Sequence, residues 1–323
     1  SLTKKIHTPS QNILMHKSQL TGGYSGRTLD THLITPFLRD MFGDHYAMRE
    51  AGWLTRSFEQ VHPFNLNYNG VITPVENKIS FLHILNSVEH DNVDPKKCLI
   101  MLFSGLITKH EKFKKSKNRS LISSKKSNLK SIKILINILK IFFNYNYQIG
   151  GASRLPGIWV QTILQLLHEL TNSKSKIGAL ESHTASDKKS HSLGDIDIYL
   201  EAEVIISYEI KHNKSISLEM VKLVKDKIND LSPKFYFILT TADKILDANK
   251  YEYDKITDEI MNESQTDVFL HNLYDFILHR LVIINDPNDF VSRFTENLVY
   301  DAEKFSNIKK THLDYWTELI KKL

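Results

Sequence analysis

Residues 194–211 read Gly194-Asp-Ile-Asp-Ile-Tyr-Leu-Glu-Ala-Glu-Val-Ile-Ile-Ser-Tyr-Glu-Ile-Lys211. In the first part Ile196, Ile198 and Leu200 alternate with Asp195, Asp197 and Tyr199. In the second, Val204, Ile206, Tyr208 and Ile210 alternate with Ile205, Ser207, Glu209 and Lys211. Alternation at period two marks strands with one apolar face. The spacing predicts an antiparallel hairpin with its tip at Glu201-Ala202-Glu203, in which Leu200 faces Val204 and Asp195 therefore faces Glu209. Directly opposed residues hold their Cβ atoms roughly 4.5–5.5 Å apart. Lys211 lies one period further along the face of Glu209. A bulge at the tip is expected to shift this register by one residue.

Two carboxylates so close repel each other unless a cation sits between them. A hard divalent ion meets that need: Mg²⁺ takes oxygen ligands, keeps several waters, and is held by one or two carboxylates plus substrate phosphate oxygens. Such an ion acidifies a bound water and stabilises charge on a phosphoryl transition state. Lys211 would position or help deprotonate that water, or neutralise the phosphate; spacing does not choose among these roles. Acids on an exposed hairpin face are common, and Glu-x-Lys arises by chance in a Lys-rich chain. What lifts the pattern above that background is its context. A helix with apolar Leu218, Val221, Val224, Ile228 and Leu231 follows, and then a strand at 235–240, making a strand, strand, crossover helix, strand unit.

Working outward, residues 157–171 read as a helix whose Trp159, Ile163, Leu166, Leu167 and Leu170 form one stripe, and 172–193 as a long polar loop. Gly150-Gly151-Ala152-Ser153 is the expected domain boundary. Before it, 131–143 is an amphipathic core helix, and helices are expected at 77–88 and 95–108. Residues 52–74 read as mostly irregular, and 20–31 as a glycine-bearing loop leading into a helix. Residues 109–133 carry ten Lys/Arg against one acid, Glu111. Such a run is read first as a solvated, mobile connection, and second as an arm that contacts phosphates through counterion release. The expected fold class is therefore α/β in the α+β sense: a mainly helical domain over 1–150, and an α/β domain over 151–323 completed by C-terminal helices.

The 323 residues are 41% hydrophobic and 24% charged, which suits one large or two ordinary globular domains. A single cysteine, Cys98, excludes an internal disulfide framework and a Cys-rich zinc site, fits a reducing compartment, and is expected to be a small core hydrophobe. The net charge of +5 divides unevenly: residues 1–160 hold 22 Lys+Arg against 10 Asp+Glu, and residues 161–323 hold 20 against 27. The basic half is the one expected to meet a polyanion. No early apolar run or membrane-length segment is present, so a soluble cytoplasmic protein without a membrane partner is expected. Gly22-Gly23-Tyr24-Ser25-Gly26-Arg27-Thr28 lacks the Gly-Lys-Ser/Thr ending of a phosphate loop, and none of the fifteen histidines forms an HExxH pair.

The order of elements, with an Asp opening one strand, Glu-x-Lys on the next, then a helix and a strand, resembles the PD-(D/E)xK nuclease superfamily. More narrowly, the chain resembles type II restriction endonucleases of the SacI-like group, through Ser25 to Leu29, the aromatic and Asn-rich Ser57 to Tyr68, and the Gly194-Asp195 and Glu209-Ile210-Lys211 strands followed by Lys214-Ser215. Gly194 stands where the superfamily's name has Pro. The resemblance implies that Asp195 and Glu209 bind the metal with the Ile210 carbonyl, that Lys211 is the catalytic lysine, and that Glu169 is an extra acid. It also implies Mg²⁺-dependent hydrolysis of double-stranded DNA at a short site by a homodimer, with a cognate DNA methyltransferase as genetic partner in restriction-modification. Arg27, Arg56, Arg154 and Lys214 are the candidate DNA contacts, arginine because it bonds guanine bidentately. Two alternatives remain open: a DNA-binding protein with a non-cleaving nuclease fold, and a repair or modification-dependent nuclease.

Overall fold

The computed structural model describes residues 1–43, 61–70, 72, 74–180, 192–228, 233–305 and 307–322. The chain forms two compact units, Ser1–Lys115 and Ser116–Leu323. The first is helical, with α1 (Leu2–His7), α2 (Gly26–Leu29), α3 (Thr35–Phe42), α4 (Val75–His90) and the first part of α5 (Pro95–Lys125). Its core gathers Leu2, Ile13, Leu14, Phe64, Tyr68, Leu82, Leu85 and Val88, with Cys98 partly buried against it. The second contains α6 (Ile132–Asn144), α7 (Leu155–Thr171), β1 (Lys176–Ile177), β2 (Ile196–Leu200), β3 (Glu203–Lys211), α8 (Leu218–Ile228) and β4 (Phe235–Thr240). It closes with α9 (Lys250–Ser264), β5 (Asp267–Asn272), α10 (Leu273–Ile284), α11 (Pro287–Lys304) and α12 (Lys310–Lys321).

The sheet runs β1-β2-β3-β4-β5; the first three strands are antiparallel and the last two parallel to β3. The protein is thus mixed α/β with a five-stranded mixed sheet. On one face Tyr236 and Ile238 pack with Val221, Val224 and Ile228 of α8 and Tyr253 and Ile260 of α9. On the other, Tyr208 stacks on Phe237 and meets Phe276 of α10 at 5.8 Å. The hairpin tip is tighter than its spacing predicts, since Leu200 pairs with Glu203 and Glu201 takes a left-handed φ of 57°. A bulge at Ile205 then restores the register, giving Ile198 opposite Ile206, Asp197 opposite Ser207 and Ile196 opposite Tyr208. Just before β2, Asp195 lies against the Tyr208–Ile210 segment of β3, its N–H on the Tyr208 carbonyl and its side chain on the Ile210 N–H.

Two expectations are corrected. Residues 109–125 are not a mobile connection: α5 runs through them to Lys125, burying Phe113, Ser116, Ser120 and Ser124 at helical spacing. In the second unit Ser116 Oγ bonds Asp314 at 2.6 Å, and Ser120 Oγ and Thr317 Oγ1 share a bond of 2.6 Å. Small hydroxyl residues let α5 and α12 approach closely, while the lysines occupy the exposed side of the helix. Gly150-Gly151 is likewise a packed turn inside the second unit, and the division falls at 115/116. Gly151 has a φ of 113°, and a Cβ there would lie 2.2 Å from the Asn307 carbonyl oxygen. Composition alone cannot distinguish such a turn from a linker. The polar stretch after α7 also holds the short strand β1, and residues 181–191 lie outside the described residues.

His312 in the first turn of α12 reaches back so that its Nδ1 accepts the Lys309 N–H at 2.9 Å, and the ring is fully buried. Its Nε2 is buried without a hydrogen-bond partner, and burial holds the imidazole down to about 4. The unfolded ring titrates near 6.5, so the unfolded state takes up the proton first, and stability falls as the pH drops from about 6.5 towards 4. The expected loss over that window is roughly 2 kcal/mol after allowance for screening. Denaturant unfolding of wild type and His312→Gln at pH 7 and pH 4.5 checks this: the wild type loses more, and equal losses would reject His312 as the source.

Candidate active site

Asp195 is held to β3 at two points. Its backbone N–H donates to the Tyr208 carbonyl at 2.8 Å, and its Oδ2 accepts the Ile210 N–H at 2.7 Å. The preceding residue must be glycine, because a Cβ at Gly194 would lie 2.6 Å from the Tyr208 carbonyl oxygen that receives the Asp195 N–H. Glycine at position 194 therefore has a steric reason. The loop leading to Asp195 is set by Asp197, which is 2% exposed. Asp197 Oδ2 accepts from the Leu193 N–H and Ser192 Oγ, each at 2.9 Å, and Oδ1 from the Gly194 N–H at 3.2 Å and from Ser207 Oγ. A buried carboxylate with four donors is a structural pin.

Glu209, near the end of β3, has both carboxylate oxygens on cations. Oε1 accepts from Lys211 Nζ, and Oε2 from Lys227 Nζ of α8 at 3.2 Å. Burial opposes ionisation of this carboxyl, but Lys211 and Lys227 together outweigh it and hold Glu209 below its ordinary value. The Tyr236 hydroxyl stands 3.4 Å from Oε2 and donates to the Leu193 carbonyl at 3.0 Å. Burial, then the charges of Glu209, Asp197 and Asp195, keep the Tyr236 phenol neutral by raising its pKa. Beyond Lys211 the chain is tied to the end of β4: the Thr241 N–H donates to the Lys211 carbonyl at 3.0 Å, and Thr240 Oγ1 donates to the Lys214 carbonyl at 2.7 Å.

The other predicted site residues separate from this pair. Glu169 lies near the C-terminal end of α7 and takes a bidentate pair from Arg293 of α11 at 2.9 and 3.1 Å. The start of α7 is the end that meets Asp195, through a small recess lined by Ser153, Arg154, Gly157, Leu180, Asp195 and Ile210. Twelve residues of helix separate Gly157 from Glu169, about 18 Å, so Glu169 is not part of the site. Arg154 is not a DNA-facing loop residue: it is 2% exposed, pairs with Asp301, donates to the Leu180 carbonyl at 3.1 Å and stands over the Phe305 ring at 5.1 Å. Arg27 is exposed on α2, Lys214 is exposed after β3, and Arg56 lies outside the described residues. Spacing did not single out Lys227, because it enters from the crossover helix 16 positions beyond Lys211.

Among the described residues no group of three or more His, Cys, Asp and Glu is placed to cage a metal ion. The donors present are hard: Asp195 and Glu209, with the Ile210 main chain between them. That set fits Mg²⁺, which takes one or two carboxylates and completes its shell with water and phosphate, and does not fit a thiolate- or imidazole-bound metal. No helix among the described residues is long and apolar enough to cross a membrane. No protein-family model and no curated protein matches the chain.

Proposed function

We propose that this protein is a Mg²⁺-dependent endonuclease of the PD-(D/E)xK type that cuts double-stranded DNA at a specific site, in the manner of a restriction enzyme acting as a homodimer. The observation that carries the reading is that Asp195, just before β2, bonds the Ile210 N–H, and that Ile210 stands between Glu209 and its ion-pair partner Lys211 at the end of β3. The order helix, three antiparallel strands, crossover helix and parallel strand supports it, as does the excess of lysine and arginine over acids in residues 1–160. Bound at the two carboxylates, Mg²⁺ would supply an acidified water and charge stabilisation at the phosphate. The Ile210 N–H holds Oδ2 of Asp195, which fixes the carboxylate against β3, where it would serve as a ligand. Glu209 is kept ionised by its lysines, and Lys211, staying beside it, would present its ammonium to the non-bridging phosphate oxygens. In the reaction a water oxygen bonds to phosphorus, one P–O ester bond breaks, and the departing oxygen takes a proton. A DNA-binding protein without cleavage is the second reading, favoured only by the engagement of Glu209 with two ammoniums.

The test is incubation with unmodified phage DNA, with Mg²⁺ and with EDTA. Discrete fragments that need Mg²⁺ are expected. A smear would point to a nuclease without site preference, and a shifted but uncut band to the non-cleaving reading.

A further inference from the structure

Lys227 is the cation at Glu209 that the Glu-x-Lys pattern does not contain. It stands in the last turn of α8, with Val224 and Ile228 seating that helix on the sheet, so its Nζ is delivered to Oε2 by the packing of the helix. The Tyr236 hydroxyl near the same oxygen has one hydrogen and spends it on the Leu193 carbonyl at 3.0 Å, the shorter of its two contacts. The charge on Oε2 is therefore met by Lys227, and that on Oε1 by Lys211. The side chain of Glu209 is 16% exposed, whereas that of Lys227 is 38% exposed and has solvent to move into. A divalent cation bound by Glu209 would sit about 2 Å from a carboxylate oxygen, and an ammonium on the same carboxylate repels it strongly at partly buried distances.

We infer that Lys227 is a positioning residue that occupies Glu209 as a built-in competitor of the divalent cation, holding the carboxylate in place while the site is empty and yielding it when the cation arrives. This rests on the nuclease reading for the identity of the cation as Mg²⁺. Lys211 belongs to the strand and stays beside Glu209 whatever α8 does; Lys227 belongs to the helix and its tip is free to swing outward. The two lysines therefore divide the work, one remaining in the site and the other acting as its exchangeable counter-ion.

Mg²⁺ is titrated calorimetrically into the full-length protein without DNA, comparing wild type, Lys227→Met, Lys227→Arg and Asp195→Asn. Methionine is a good helix former at this partly exposed position, and circular dichroism checks that the fold persists. Lys227→Met is expected to bind Mg²⁺ about tenfold more tightly, because a competing charge is gone. Lys227→Arg should restore wild-type affinity, and Asp195→Asn should weaken uptake, which locates the ion. A purely structural lysine would give equal or weaker binding in Lys227→Met, and either result overturns the inference. If no variant takes up Mg²⁺, the inference and the metal-dependent nuclease reading fall together. If Mg²⁺ binds and tightens as expected but phage DNA stays intact, the inference stands and the nuclease reading alone falls.

Discussion

If the protein is the proposed nuclease, Asp195→Asn is expected to cleave phage DNA about a thousandfold more slowly than wild type, since losing about 4 kcal/mol of stabilisation at the reacting phosphate is worth three decades in rate. Asparagine is the informative replacement. Its side-chain oxygen still accepts the Ile210 N–H that Asp195 takes at 2.7 Å, so the β2–β3 junction is preserved while the charge is removed. Alanine would lose that bond as well, a stability cost of about 1 kcal/mol that would blur the result. Lys211→Ala is expected to fall by a similar factor, and Lys227 then remains on Glu209 to keep that carboxylate paired. Single-turnover cleavage with Mg²⁺, alongside thermal unfolding, separates the two effects. A variant that is folded and cuts at the wild-type rate removes its residue from the site.

The largest expected loss of stability is at Arg154, a residue that sequence alone places on DNA. Its guanidinium and the Asp301 carboxylate are both buried, with side chains 2% and 4% exposed. Removing one member of a buried pair strands the other charge in a low-dielectric interior and costs about 3–5 kcal/mol. Arg154→Ala is therefore expected to lower Tm by on the order of 10 °C for a unit of this size. The double variant Arg154→Leu with Asp301→Leu should recover much of that loss, since neither charge is left alone. A DNA contact would behave otherwise: Arg154→Ala would keep its Tm and lose affinity for DNA.

The contrast between Asp195 and Arg154 shows which inferences sequence supports. Alternation in 196–200 and 204–210 is a local property, and so both strands and the polar face of Glu209 and Lys211 follow from it. The helix at 131–143, the helix at 157–171 and the strand at 235–240 follow for the same reason, within a residue or two of their observed bounds. The run of lysines at 109–133 misled because charge reports which side of an element is wet, and the serines that α5 buries look the same in a loop and in a tight helix contact. β5, six residues inside a polar surrounding, has too little alternation to stand out before β4 is there to pair with it.

By itself the sequence determined the hairpin and the crossover unit, and offered Asp195, Glu209 and Lys211 as the candidate set, because period, residue type and short spacing are all written within a few turns or strands of chain. The tertiary structure alone decided which charges are spoken for. Arg154 meets Asp301 147 positions away, Glu169 meets Arg293 124 positions away, and Lys227 reaches Glu209 from a helix on the sheet face. An ion pair depends on where two side chains end in space, and that is settled only when the helices close on the sheet.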